Sequence, residues 1–533
     1  MKKLLTRGIG LLGIMSGGVA MAADMTTPFY KAPPPVAVDI WNGFYGGANA
    51  GIGLSRNPTN DTTALPGFPA PQFDSGIFSH APMGGVFGLQ AGWNWHVAPA
   101  WVLGIETDWQ WQNSSETVCT YACLPASTPP ALLSITDQES MKWFGTTRGR
   151  IGWLTPGGSL LYATGGVAYG RVEQNLTVTG DTFFAAGPSV AASFSQTKVG
   201  WTAGAGIETP VAPRWTLKAE YLYVDLGSFN NAFSTPLSAL AMGPGNFAPA
   251  TTAVTTSSAY LHEHIIRLGV NYHFDAPGGA PMAFARAYDA APRQAAWNGF
   301  YGGINGGGAL AHNPTSNPFL FSPSTVPFPV AGADSYTHAP RSGELGVQLG
   351  WNWRIAPSWV AGAEVDWQWT NQTDSACVSQ CLIPPPGVAV IPGLPLGITD
   401  DQSIKWLSTA RARFGWIAPN DSLWYVTGGA AWGRVEDTVT LIAQPPFFAA
   451  GAPVAATLAQ NKFGWTVGGG AEIPVWDRWS VKAEYLYVDL GKITNSFTSA
   501  LDPFQAPATA QTTSSISSIH DHIFRLGVNY HLN

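Results

Sequence analysis

The stretch Trp101-Val102-Leu103-Gly104-Ile105-Glu106-Thr107-Asp108-Trp109-Gln110-Trp111 sorts its residues by parity. Trp101, Leu103, Ile105, Trp109 and Trp111 fall on one side, and Gly104, Glu106, Asp108 and Gln110 on the other. Successive side chains of a strand point to opposite faces, so one face is apolar and the other carries two carboxylates. A soluble β-sandwich alternates as well. It gives no reason, however, for Trp to gather at the strand ends, which is where an amphipathic ring settles at a headgroup boundary. The stretch reads as a strand crossing a bilayer with its apolar face outward.

The same pattern recurs along the chain. Trp143, Ile151 and Trp153 oppose Thr146, Arg148 and Arg150, while Trp215, Leu217, Ala219, Tyr221 and Tyr223 oppose Lys218 and Glu220. Ile266, Leu268, Val270, Tyr272 and Phe274 oppose Arg267, Gly269, Asn271 and His273. Strand-length stretches of about ten to fourteen residues, the length a tilted strand needs to cross the hydrocarbon, begin near Trp41, Gly84, Trp101, Lys142, Leu160, Lys198, Trp215 and His264. The turns at 98–100, 155–159 and 212–214 are short. The alternate connections, after Leu54, Gln112, Gln174 and Leu226, run to about two dozen residues or more and are rich in Pro, Ser, Thr and Ala. Short turns on the periplasmic side and long loops outside are expected.

The whole unit then repeats. WNGFYGG at 41–47 returns at 297–303, KAEYLYVDLG at 218–227 returns at 482–491, and RLGVNYH at 267–273 returns at 525–531. A period of this size is a domain rather than a solenoid repeat. The expected organisation is a signal peptide at 1–22, a Pro-rich periplasmic leader at 23–39, a first barrel at 40–275, a linker at 276–295 and a second barrel at 296–533.

Composition agrees with a membrane barrel. Charged residues make up 11% of the chain and aromatics 12%, against about 25% charged residues in soluble domains. Lys2, Lys3 and Arg7, an apolar stretch from Gly8 to Val19 and Ala20-Met21-Ala22 have the pattern of a cleaved secretory signal. Losing those three positive charges takes the formal net charge from −7 to −10. A nucleic-acid partner held by phosphate neutralisation is not expected. No later stretch is apolar for long enough to make a membrane helix.

These features together, a signal segment, a Pro-rich leader, WNGFYGG opening the first strand and RLGVNYHF at 267–274 closing the last, resemble the RopB-type outer-membrane immunogenic proteins, small porin-family barrels of Gram-negative bacteria. The resemblance covers both copies and implies an eight-stranded barrel in each. The tandem form departs from the single barrel that the family implies. So does the end of the chain: copy one closes on Phe274, but copy two closes on Leu532 and Asn533, leaving Tyr530 as the aromatic available to the barrel-assembly machinery.

On the expected inner faces, Glu106, Asp108, Glu208 and Glu220 accompany Arg148, Arg150, Lys218 and Arg267. Copy two repeats the set as Glu364, Asp366, Glu472, Glu484, Arg411, Arg413, Lys482 and Arg525. Charges in a narrow lumen must pair or stay hydrated. They therefore form either a salt-bridged plug or the lining of a selective pore. Cys119 and Cys123, and again Cys377 and Cys381, are spaced to close small disulfide rings in the second long loop of each copy, with metal binding the lesser alternative. His262 and His264, echoed by His520 and His522, are expected at the outer rim where the last strand begins. They are weak candidates for a metal or for haem iron, kept because the resemblance implies haemin binding in some relatives.

The fold class expected is all-β, as two tandem eight-stranded antiparallel up-and-down transmembrane barrels, with one sixteen-stranded barrel as the alternative. The protein is expected in the outer membrane, with lipid and the assembly machinery as partners. It is expected to contribute to envelope structure with immunogenic external loops; a diffusion channel for small solutes and a haemin receptor are the alternatives. No GxSxG, HExxH or phosphate-cradling motif is present, so neither catalysis nor a cofactor is expected.

Overall fold

The computed structural model describes residues 39–65, 72–120, 133–180, 190–237, 240–243, 246–248, 251–275, 297–322, 330–377, 381, 389–390, 397–442, 454–501 and 509–532. The expected signal peptide at 1–22, all of the expected leader but Asp39, the expected linker at 276–295 and Cys123 lie outside these residues. Copy one supplies β1 (Gly43–Ser55), β2 (Asn57–Leu65), β3 (Gln72–His80), β4 (Met83–Ala98), β5 (Trp101–Thr120), β6 (Leu133–Leu154), β7 (Leu160–Gly180), β8 (Val190–Ala212) and β9 (Trp215–Leu237). The short loop strands β10 (Leu240–Gly243) and β11 (Asn246–Ala248) precede its last strand, β12 (Thr251–His273). Copy two supplies β13 (Gly299–Ala311), β14 (Asn313–Ser322), β15 (Val330–His338), β16 (Arg341–Ala356), β17 (Trp359–Cys377), the short β18 (Ala389–Val390), β19 (Gly397–Ile417), β20 (Leu423–Ile442), β21 (Val454–Trp476), β22 (Trp479–Leu501) and β23 (Thr509–His531).

The ladders close each copy on itself. Ala48 of β1 faces Leu89 of β4 on one side and Val270 of β12 on the other, all antiparallel. The path β4, β5, β6, β7, β8, β9 and β12 completes a ring of eight strands with β1. In copy two, Ile304 of β13 likewise faces Val347 of β16 and Val528 of β23, and β17, β19, β20, β21 and β22 complete the second ring. Among the described residues no ladder joins β12 to β13, as a single sixteen-stranded wall would require. Closure leaves no unpaired strand edge facing lipid.

Parity sets the two faces as the sequence indicates. Leu103 and Ile105 are 41% and 48% exposed, whereas Glu106 and Gln110 are 2% and 0%. Aromatic rings band the outer surface, with Trp109 stacked on Trp143 and Trp215 edge-on to Tyr272. The tight turn at Thr155–Ser159 uses Gly158 at φ +82°.

The strands are longer than expected. β6 runs for 22 residues, and β9 and β12 for 23 each, so much of what reads as loop is strand standing above the outer rim. In addition β2 and β3 form a hairpin, and β2 also pairs with β12, extending the wall upward; β14 and β15 do the same against β23. The polar runs pair because their inward Thr and Ser are sheltered: Thr255 and Ser257 are 1% and 2% exposed. Bulges between Met141 and Trp143, and between Ile404 and Trp406, mark the rim in both copies. There the inward parity of β6 changes from Phe144 to Met141, because an extra residue turns the rest of the strand over.

Candidate functional site

The lumen of each barrel is crossed by side chains at mid-height. In copy one, Arg148 on β6 reaches Asp108 and Glu220 at 3.0 Å each and also bonds Glu106. Lys218 on β9 holds Glu106 at 2.7 Å, and Arg267 on β12 donates to Asp108 at 2.8 Å and through Nε to Glu220 at 2.7 Å. Nearer the end that carries the short turns, Arg150 pairs with Glu208 at 3.0 Å. These eight side chains, four acids and four bases, are neutral in sum. Each comes from an inward position of a different strand or of the same strand two residues on, which is what strand parity provides.

Copy two repeats the arrangement. Arg411 binds Glu364, Asp366 and Glu484; Arg413 binds Glu472 at 2.8 Å; Lys482 binds Glu364 at 2.9 Å; Arg525 binds Asp366 at 2.9 Å and, through Nε, Glu484 at 2.8 Å. All sixteen side chains named from the sequence are thus brought together, eight in each barrel. Every one of them is buried.

Further partners are not apparent in the sequence. Tyr45 donates its hydroxyl to Glu106 at 2.7 Å, and Tyr162 donates to Glu220 at 2.8 Å. Tyr301 and Tyr425 take the same roles with Glu364 and Glu484. Asn271 and Thr216 donate to Glu208, as Asn529 and Ser480 do to Glu472. The available signal was repetition at an inward position, but Tyr45 sits in a Gly-rich stretch whose parity has little apolar contrast. Above the charges an apolar layer follows, Phe144, Leu222 and Ile265 in copy one and Leu407, Leu486 and Ile523 in copy two. Ionic and apolar layers together fill the bore.

Above the rim lies a second repeated cluster that the sequence reading missed. His80 stands between Asp137 at 3.0 Å and Glu116 at 3.6 Å; His338 stands between Asp374 at 3.1 Å and Asp400 at 3.5 Å. Burial disfavours the charge on His338, yet the carboxylates of Asp400 and Asp374 outweigh it and raise its pKa to about 10. Burial pushes the carboxyls of Glu139 and Asp334 up to about 7, and burial together with neighbouring Asp400 does the same to Asp437. The mouth thus sets a charged His338 between the ionised carboxylates of Asp400 and Asp374, beside carboxyls that burial makes reluctant to ionise.

Of the remaining candidates, Cys377 is bonded to Cys381, and Cys119 is also in a disulfide. Cys119 and Cys377 lie at the ends of strands β5 and β17 rather than in a loop. His262 and His264 do not begin the last strand, which starts at Thr251. They point outward from the barrel wall. His264 accepts or donates at Nδ1 with the Tyr221 hydroxyl at 2.7 Å, and His522 does so with Tyr485 at 2.8 Å. His262 stacks on Tyr223, and His520 is tilted against Tyr487. Among the described residues no group of three or more His, Cys, Asp or Glu is arranged to hold a metal ion.

A closed antiparallel ring with an apolar, aromatic-banded outer wall and an ion-paired interior defines an integral membrane β-barrel. The family model for the outer membrane protein beta-barrel domain matches residues 15–274 and again 280–531, and the chain belongs to that family, present twice. A 31 kDa outer-membrane immunogenic protein of Brucella melitensis is 31% identical over 271 residues, covering 48% of this chain and 93% of that protein. A 22 kDa outer membrane protein of Rhizobium leguminosarum bv. viciae is 38% identical over 87 residues, 16% of this chain and 34% of that protein. Among solved structures, the outer membrane protein OprG of Pseudomonas aeruginosa aligns with 44% of this chain and 97% of its own at 12% identity and a TM-score of 0.24. The protein is an outer-membrane β-barrel protein.

Proposed function

We propose that the protein is a structural component of the outer membrane, two plugged barrels that anchor raised, antibody-accessible walls at the cell surface. The observation that carries this reading is the eight-membered charge network spanning each lumen, whose side chains are buried from both ends. An eight-stranded barrel is just wide enough for side chains to fill. Paired and hydrogen-bonded as they are, these groups have no reason to part for a solute. The name of the Brucella relative supports an immunogenic surface, which the extended strands above the rim would supply. On this reading the partners are lipid along the wall and the assembly machinery during insertion.

The test is conductance. Purified folded protein added to a planar bilayer is expected to insert without stepwise current. Steady openings of porin size would replace the structural reading with that of a diffusion channel.

A further inference from the structure

The outer walls of the two barrels are not equally bare. Ile207 points outward from β8 yet is 3% exposed, because it packs with Ala471 and Ile473 of copy two, flanked by Leu161, Trp424 and Ala483. Near the outer rim, Leu54 and Ala81 of copy one cluster with Leu310 and Ala339 of copy two, with Ile52, Ile266 and Phe524 against them. Tyr221 of copy one meets Phe524 of copy two at 5.6 Å.

These contacts are reciprocal. LSRNPT at 54–59 corresponds to LAHNPT at 310–315, SHAP at 79–82 to THAP at 337–340, and ETVC at 116–119 to DSAC at 374–377. Leu54 and Leu310 are therefore equivalent positions, as are Ala81 and Ala339. Ser335 pairs with Cys119, and Ile77, the equivalent of Ser335, pairs with Cys377, the equivalent of Cys119. Arg56 donates through Nε to the Ala339 carbonyl at 3.0 Å and pairs with Asp374 at 2.6 Å. His312, which stands where copy one has Arg56, bonds the backbone of Ala81 and faces Glu116, which stands where copy two has Asp374. At the opposite rim, Asn420 in a periplasmic turn of copy two donates to Ser159 in the matching turn of copy one at 2.6 Å. Residue i touching j while j touches i is the signature of an isologous interface.

We propose that the two barrels are a joined pseudo-homodimer, docked side by side in the same orientation through one isologous face, and that this face, not the linker, holds them together. Mouth meets mouth and turn meets turn, which even strand numbers permit because both copies begin and end on the periplasmic side. Lipid tails are as apolar as the wall, so greasy contact alone would not favour docking. The polar contacts at the two rims supply what the apolar contacts between them lack, and Arg56 with Asp374 is the strongest of these.

The test cuts the linker. A protease site placed within 276–295 is cleaved in the folded full chain in mild detergent, and the product is weighed by native mass spectrometry. Both fragments are expected in one particle with the mass of the whole chain; two separate particles would overturn the proposal. In cells, Ser159→Cys with Asn420→Cys is expected to join the cleaved fragments into one band on a non-reducing denaturing gel, each single variant giving none. Absence of that band in the double variant would equally count against docking in the membrane. Arg56→Glu, which sets an acid against Asp374, is expected to weaken the pairing of cleaved fragments by about tenfold or more. Unchanged pairing would remove the latch from the proposal.

Discussion

Arg148 illustrates what a single residue carries in this lumen. Its guanidinium serves Glu106, Asp108 and Glu220 at once, with no exposure of its side chain. Removing one partner of such a set leaves carboxylates buried without compensation, at about 3–5 kcal/mol, whereas an exposed pair such as Arg171 with Glu173 is worth about 0–1 kcal/mol. Arg148→Ala should therefore lower the denaturant midpoint of copy one clearly, and Arg171→Ala should leave it unchanged, as read by tryptophan fluorescence during unfolding in detergent. Equal effects would mean that the network does not stabilise the fold. In the mouth, the groups above the rim set a pH window. His338 is held at about 10 in the fold against 6.5 unfolded, so its stabilisation is complete below 6.5 and lost as pH rises through 10. Asp437, Asp334 and Glu139, raised to about 7 from ordinary carboxyl values, also favour the fold at low pH and lose that contribution as pH rises through 7. Asp400 is depressed to about 2, against burial, chiefly by His338, and its contribution is instead lost as pH falls toward 2. The raised walls should be best protected near pH 4, lose part of that protection as the three raised carboxyls ionise up to about pH 7, and open further toward pH 10 as His338 loses its proton. Hydrogen exchange of amides in β3 and β15 against pH checks this, and His338→Gln should flatten the alkaline loss in β15 while β3 keeps it.

At the scale of the strand, the rim bulges decide how far each wall continues in register. Asp225, Leu226 and Gly227 form one such step on β9, with Gly227 at φ +74° and its N–H bonded to Asp225 Oδ1 at 2.8 Å; Asp489 and Gly491 repeat it. Nothing lies within 4 Å of where a Gly227 side chain would go, so only the backbone conformation opposes one. Gly227→Ala should cost about 1–2 kcal/mol. Gly51→Ala should cost more, because its Cβ would fall 1.8 Å from the Ile266 carbonyl oxygen of the neighbouring strand. Chemical unfolding of both variants, ranked in that order, is the check. The same bulges explain where the sequence was readable and where it was not. Between Trp101 and Trp111 apolar and polar residues alternate sharply, and the inward Glu106 and Asp108 follow from parity alone. Beyond the bulge the parity changes, and in Thr251–Tyr260 threonine and serine occupy both faces, so the pattern loses contrast although the strand continues. His80 and His338 were missed for a related reason: they end β3 and β15, polar hairpin strands inside connections that read as loops. The docking face was hidden by a different cause: an outward Ile207 facing another barrel and an outward Leu103 facing lipid are chemically the same choice.

For the whole molecule, the question is whether two closed rings behave as two. Within each ring every strand is paired on both sides, whereas among the described residues the ladder contacts between copies are confined to the raised walls, at Ser335 with Cys119, Cys377 with Ile77, and the parallel pairing of Ala389 and Val390 with β3. Strand pairing and lumen ion pairs are therefore lost or kept one barrel at a time, and docking joins two units that are each complete. Arg148→Ala damages only the first lumen, since Arg411 and its partners sit in the second. Heated in steps and run on a denaturing gel, this variant should pass through an intermediate mobility, with copy one open and copy two still compact, before the fully unfolded band forms. Arg411→Ala should produce the mirror case, with protease fragments showing which copy is open. The unaltered protein should show the intermediate only over a narrow range of temperature, because its two networks are built from the same set of residues and fail together. A direct change from compact to unfolded in both variants would mean that the rings share one cooperative wall. That outcome would be incompatible with β1 closing on β12 and β13 closing on β23.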